Sequence, residues 1–144
     1  MIEPDTIKLL RECDLGIKMG VSAIEDVLDY VKDDHFRTLL LDCKKKHETL
    51  KEEIVELLHN YQDEGKNPNP MVKGMSWVKT NAKLRMKESD NTIADLITDG
   101  CNTGVKSLNR YLNQYKAADE VTKDITKRLI HIEERLTTTI RGYL

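Results

Sequence analysis

The chain predicts an all-α protein: a four-helix bundle with one long crossover, carrying a short fifth helix, between helices 2 and 3. Three observations carry this expectation. Four stretches of roughly thirty residues place apolar side chains at alternating steps of three and four, the rhythm of one buried seam on a long helix. The first and last connections are only a few residues long, which forces antiparallel hairpins. The middle connection, from 63 to 88, is long and is interrupted by Gly65, Pro68 and Pro70. At about 1.5 Å per helical residue it can retrace a bundle about 40 Å long. An up-down-up-down bundle with residues 70–87 lying across one end is the alternative arrangement.

The first helix is predicted over 4–31. Pro4 suits a first helical turn, Glu3 and Asp5 complement the positive end of the helix dipole, and Ile7, Leu10, Asp14, Ile17, Val21, Ile24, Leu28 and Val31 form the seam. Lys32, Asp33 and Asp34 then leave room for a tight turn, with either aspartate able to cap the next helix. That second helix, 34–62, is the most regular stretch, with Phe36, Leu40, Cys43, His47, Leu50, Ile54, Leu57 and Tyr61 on one face. Asn69 as cap and Pro70 at the first position start the short helix over 70–87, whose apolar stripe is Met71, Met75, Val78 and Ala82. Ser89 or Asp90 caps the third long helix, 90–116, with Ile93, Leu96, Ile97, Gly100, Gly104, Leu108, Tyr111 and Tyr115 inward. The fourth, 119–142, carries Val121, Ile125, Leu129, Ile132, Leu136, Ile140 and Tyr143. All belong to a single domain spanning 1–144, long enough to bury about 70% of its unfolded surface without metals or disulfides.

Charged residues make up 33% of the chain and aromatics 5%, the balance of long amphipathic helices with Lys and Glu outside. A net charge of -2 gives no strong field towards nucleic acid or an anionic membrane. No apolar run approaches the ~20 residues of a membrane span, and the start does not resemble a signal peptide, so a cytoplasmic protein with no membrane partner is expected. Cys13, Cys43 and Cys101 are an odd count without CxxC spacing and read as reduced, buried thiols. In the crossover, Lys66, Lys73, Lys79, Lys83, Arg85 and Lys87 surround Trp77. Such a stripe could contact phosphates and stack a base. The rest of the chain is acidic, so the preferred reading is an anchoring Trp77 with solvated lysines, and nucleic acid is not an expected partner.

The stretches TIADLITDGCNTGVKSLNRYLNQYKAADE, KGMSWVKTNAKL and KKKHETLKEEI together resemble bacterial ferritin-like proteins of unknown function, distant relatives of the rubrerythrins. The likeness spans nearly the whole chain and rests on helix lengths and small motifs. It implies a ferritin-like bundle, a fold in which two metals are often held by a carboxylate on each helix and two Glu-x-x-His pairs.

The ligand pattern departs from that family. The first helix has Asp14 on its seam but Ile17 one turn on, and the second has Lys44 where a Glu would precede His47 by three. Its one Glu-x-x-His, Glu56 with His59, phases outward; Glu52 joins them on a solvated face. The third helix turns Gly100 and Gly104 inward, and the fourth has Arg128 three residues before His131. A di-iron centre is therefore not expected, nor any other cofactor. A smaller metal site would draw on Cys43 and His47, four apart on one seam, with Cys101 and Glu133 at a similar level, since thiolate and imidazole suit zinc or copper. The preferred reading makes Cys43 a small core hydrophobe and His47 a hydrogen-bonded buried imidazole.

Asp14, His47, Gly100, Gly104 and Tyr111 are thus expected as structural members of the core, with Asp14 meeting Tyr111 and the two glycines opening a notch for the His47 ring or a small ligand. No phosphate-cradling glycine loop, GxSxG, HExxH or redox CxxC occurs. The expected function is a non-enzymatic structural or protein-interaction module, self-associating as a weak homodimer through Met19, Leu41 and Ile130, which fall off the seams. The alternative is a metal-binding or redox bundle using Cys43 and His47.

Overall fold

The computed structural model describes residues 3–66 and 89–144. Four α-helices pack together there: α1 (Pro4–Leu28), α2 (Asp34–Asn60), α3 (Asp90–Gln114) and α4 (Glu120–Ile140), with a 3-10 turn at Arg141–Tyr143. The short helix expected over 70–87 and the basic stripe around Trp77 lie outside the described residues. No described helix is long and apolar enough to cross a membrane.

Caps set the helix starts. Asp33, Ser89 and Asp119 each accept a hydrogen bond from the backbone N–H three residues on, at 2.8, 3.2 and 2.8 Å. These bonds satisfy donors that no helical carbonyl can reach. α1 stops three residues earlier than its seam suggests, because Tyr30 and Val31 donate to the carbonyls three residues back and tighten the chain into a turn. Val31 still ends the seam, buried at 2% exposure.

Contacts between the ends settle the helix directions. At one end, the Asp90 carboxylate at the start of α3 accepts from the backbone N–H groups of Lys32 and Asp33, at 2.8 and 2.9 Å, in the α1–α2 turn. The Tyr143 hydroxyl donates to Asp33 over 2.9 Å, and its ring stacks on Phe36 with centroids 4.6 Å apart. At the other end, Asp5 and Thr6 at the start of α1 accept from the backbone N–H groups of Ala117 and Asp119 in the α3–α4 link. Hence α1 and α4 run one way, and α2 and α3 the other. α1 packs on α2 and α3, α4 packs on the same two, and α2 lies across the bundle from α3. The end of α2 and the start of α3 are therefore at opposite ends.

The apolar core falls into two clusters. One, near the α1–α2 turn, gathers Ile24, Val27, Phe36, Leu40, Ile93, Ile97, Leu136 and Ile140 with the thiol-bearing Cys43 and Cys101. The other gathers Leu10, Cys13, Ile17, Leu50, Ile54, Leu58, Leu108, Ile125, Leu129 and Ile130. The α2 seam appears as expected, except that Leu58 is buried where Leu57 and Tyr61 are half-buried. α3 is turned from its expected phase: Cys101 is buried and Gly100 is exposed. A glycine has no apolar surface to hide, so the burial drive on that turn falls to its neighbour. In α4, Val121 faces solvent at 59% exposure while Ile130 is buried at 8%, which removes Ile130 from any self-associating face.

The exit of α2 is fastened to α1. Arg11 pairs with Asp63, Lys66 Nζ reaches Glu12 over 2.6 Å, and Asp14 accepts from Lys18 Nζ at 2.6 Å and from the Lys66 backbone N–H at 3.1 Å. Gly65 makes that approach with φ of 81°, and a Cβ there would stand 2.4 Å from Asp14 Oδ2. Gly65→Ala is expected to destabilise the fold by about 1–3 kcal/mol through left-handed strain and this clash. Urea denaturation at pH 7 measures the loss.

Candidate functional site

Between the two apolar clusters lies a layer of polar side chains. His47, on the α2 seam, is 1% exposed, and Glu133, on the inner face of α4, is 9% exposed. The imidazole Nδ1–H donates to the Cys43 carbonyl one turn back over 2.8 Å, and Nε2–H donates to Glu133 Oε1 over 2.7 Å. A carbonyl can only accept, so Nδ1 carries a proton, and the raised pKa of the ring places the second on Nε2 at neutral pH, making His47 an imidazolium. Burial by itself lowers its pKa; hydrogen bonds to Cys43 and Glu133 and the Glu133 charge outweigh that, raising it to about 10.

The thiols answer to burial and to their own neighbours. Cys43 Sγ lies 3.5 Å from His47 Nδ1. Burial, together with the Glu133 charge and a hydrogen bond to it, pushes the Cys101 thiol far above the ordinary thiol range. Burial likewise pushes Cys13 up to about 11, against a hydrogen bond to Thr126. Buried, uncharged thiols are poor nucleophiles and poor metal ligands. Among the described residues, no group of three or more His, Cys, Asp or Glu is placed to hold a metal ion.

Cys43, His47, Cys101 and Glu133, expected at one level, do come together in this layer. Asp14 does not join them, and it does not meet Tyr111. It is buried at 1% exposure but faces Lys18 and the Lys66 turn, while half-buried Tyr111 is raised in pKa by burial and by neighbouring Glu12.

The notch expected from Gly100 and Gly104 is made differently. The helix that gives way to the His47 ring is α1: a Cβ on Gly20 would lie 3.0 Å from Nε2 and 3.2 Å from Cδ2. Gly104 instead faces the Glu133 carboxylate, with Oε2 at 3.7 Å from its would-be Cβ, and no described residue lies within 4 Å of one on Gly100. Gly20 was the residue that seam reading missed. Gly16 and Gly20 repeat the four-residue spacing of Gly100 and Gly104, and each mid-helix glycine costs about 1 kcal/mol relative to Ala, so the pairing was a usable signal.

Together these glycines border a cleft of about 450 Å³ between α1 and α3, with His47, Cys101 and Glu133 at its floor and Leu15, Met19 and Leu96 among its walls. Comparison of the chain with protein-family models, with curated proteins and with solved structures returned no match.

Two outcomes are expected. Gly20→Ala drives a methyl against a ring pinned on both edges and should cost about 1–3 kcal/mol, whereas Gly104→Ala meets ordinary contacts and should stabilise by up to about 1 kcal/mol; thermal melts separate them. The raised His47 pKa makes its stabilisation complete below pH 6.5 and withdraws it as pH climbs through about 10. The unfolding free energy in urea should therefore fall across that window, by up to about 1.4 kcal/mol per pH unit from this group, and Glu133→Gln should flatten the slope.

Proposed function

We propose that this chain is a ferritin-like bundle in which a protein ion pair stands where metal-holding relatives place a metal cluster, and that it serves as a non-enzymatic structural or protein-interaction module of the cytoplasm. The parallel course of α2 and α3 across the bundle supports a single long crossover, as do the stretches around Lys73 to Leu84 and Thr92 to Glu120 that resemble the family. One observation carries the functional half of the reading. At the level where four helices would each offer a ligand, α1 offers Gly20, α3 offers Gly104 and a protonated thiol, and the remaining His47 and Glu133 are bound to each other.

A metal would have to strip a proton from His47 against the hydrogen bonds and the Glu133 charge that hold it there, break the bond to Glu133, and take the proton of the buried Cys101 thiol. For interaction, α2 presents Leu41 and Val55 at 45% and 47% exposure, four helical turns apart on one outward face. A weak homodimer through Leu41 fits this reading, with Ile130 excluded by its burial and Met19 half-buried in the wall of the α1–α3 cleft.

Elemental analysis of full-length protein purified without chelators, followed by calorimetric titration with Zn²⁺ and Fe²⁺, tests the reading. Less than a tenth of an equivalent of metal and no saturable heat are expected. A stoichiometric metal that is lost on His47→Gln would replace this proposal with the metal-binding alternative at Cys43 and His47.

A further inference from the structure

In the cleft between α1 and α3 the layer around the ion pair reaches the surface of the described residues. Its volume, about 450 Å³, falls within the range of small-molecule sites, which runs from roughly 300 to 1,000 Å³. Small residues facing one another on two helices ordinarily let backbones close up. Here they do not: Gly100 is exposed, no described residue lies within 4 Å of its would-be Cβ, and Gly104 meets only the Glu133 carboxylate. A wall left open by the described residues accounts for a glycine that helix propensity disfavours.

The floor chooses the chemistry. Glu133 is 9% exposed; its Oε1 is taken by His47, and its Oε2 lies on the side of Gly104, towards the cleft. Asp99 also lines the cleft, as does Glu12, which is already paired with Lys66 Nζ; no Lys or Arg is among the described lining residues. His47 cannot serve an anion, because both of its N–H groups are already donated. The site thus offers acceptors and negative charge at its polar end and aliphatic side chains, Leu15, Met19 and Leu96, along its walls. Complementarity demands a ligand that is apolar over most of its surface and positive at one end.

We propose that the α1–α3 cleft binds a small apolar primary amine, with its ammonium group directed to Glu133 and its hydrocarbon or aromatic body between the glycine-bearing faces of α1 and α3. The cation adds a further hydrogen-bonded partner to a carboxylate that keeps its bond to His47 and its contact with the Cys101 thiol. This goes beyond the module reading and stands whether or not the bundle is ferritin-like.

Calorimetry and ¹H–¹⁵N amide shifts on the full chain test it with three probes of one shape: 2-phenylethylamine, 2-phenylethanol and phenylacetate. Saturable binding of the amine is expected, at least tenfold weaker binding of the alcohol, and none of the carboxylate, with shifts centred on Gly20, Gly100 and Gly104. Gly100→Leu should fill the cleft without a clash, keeping or raising the melting temperature while reducing amine binding at least tenfold; Thr103→Phe, from the cleft rim, serves as the second blocking variant. Glu133→Gln should weaken the amine at least tenfold and narrow its advantage over the alcohol. The proposal is overturned if the amine shows no saturable binding at millimolar concentration, if the alcohol or carboxylate binds as well, or if a folded blocking variant binds like the unmodified protein.

Discussion

A protonated histidine and a carboxylate, 2.7 Å apart and almost wholly removed from water, impose the terms on which the rest of this bundle packs. Removing two charges from water costs several kcal/mol each, and their attraction offsets this only when geometry is good and the remaining protons find acceptors. Both conditions are met by the chain's own helices: α2 supplies the ring and, one turn back, the carbonyl for its second N–H, and α4 supplies the carboxylate. Because the bond tolerates little displacement, it holds α2 and α4 in one axial register. It also explains why the apolar core divides in two, with Leu136 and Cys43 on one side of the pair and Leu129 and Leu50 on the other.

The features around the pair follow from it. Gly20 lacks a side chain where the imidazole needs the space, and Gly104 leaves room for the carboxylate. The Cys101 thiol keeps its proton because a thiolate would face both burial and the Glu133 charge. A similar economy of polar groups governs the ends of the bundle. Asp33 caps α2 and accepts from Tyr143, while Asp90 binds the turn before α2 from the start of α3. Each carboxylate satisfies orphan backbone or hydroxyl donors on separate elements, so the capping bonds also lock helix directions.

At the centre of the bundle His47 and Glu133 are turned on one another. Both N–H groups of the ring are used within the bundle, which leaves the side of Glu133 that looks between α1 and α3. The exposed face of α2 and the cleft between α1 and α3 are two of the surfaces that the described residues present. They differ in kind: α2 offers isolated aliphatic side chains, and the cleft offers an apolar channel ending in a carboxylate.

How far the sequence reaches depends on how local each cause is. Capping and turn chemistry act over three or four residues, so Asp33, Ser89 and the limits of the four long helices were readable to within a few positions. The α2 seam was readable because Phe36, Leu40, Cys43, Leu50 and Ile54 are large or apolar at every turn, and one face alone could satisfy them. The α3 seam was not, since a stripe running through Gly100 and Gly104 carries no hydrophobic drive of its own, and the rotation of the helix was left to its neighbours. Asp14 and Tyr111 shared a level on paper, but partners are chosen by distance in space: the Gly65–Lys66 turn reached Asp14 first. The sequence by itself determined that a bundle of amphipathic helices would hide Cys43 and His47, because the apolar spacing of α2 admits no other burial. Only the tertiary structure decided that Glu133 would meet His47 and that Gly20 would make way for it, because those choices depend on the register and rotation of helices packed across the bundle.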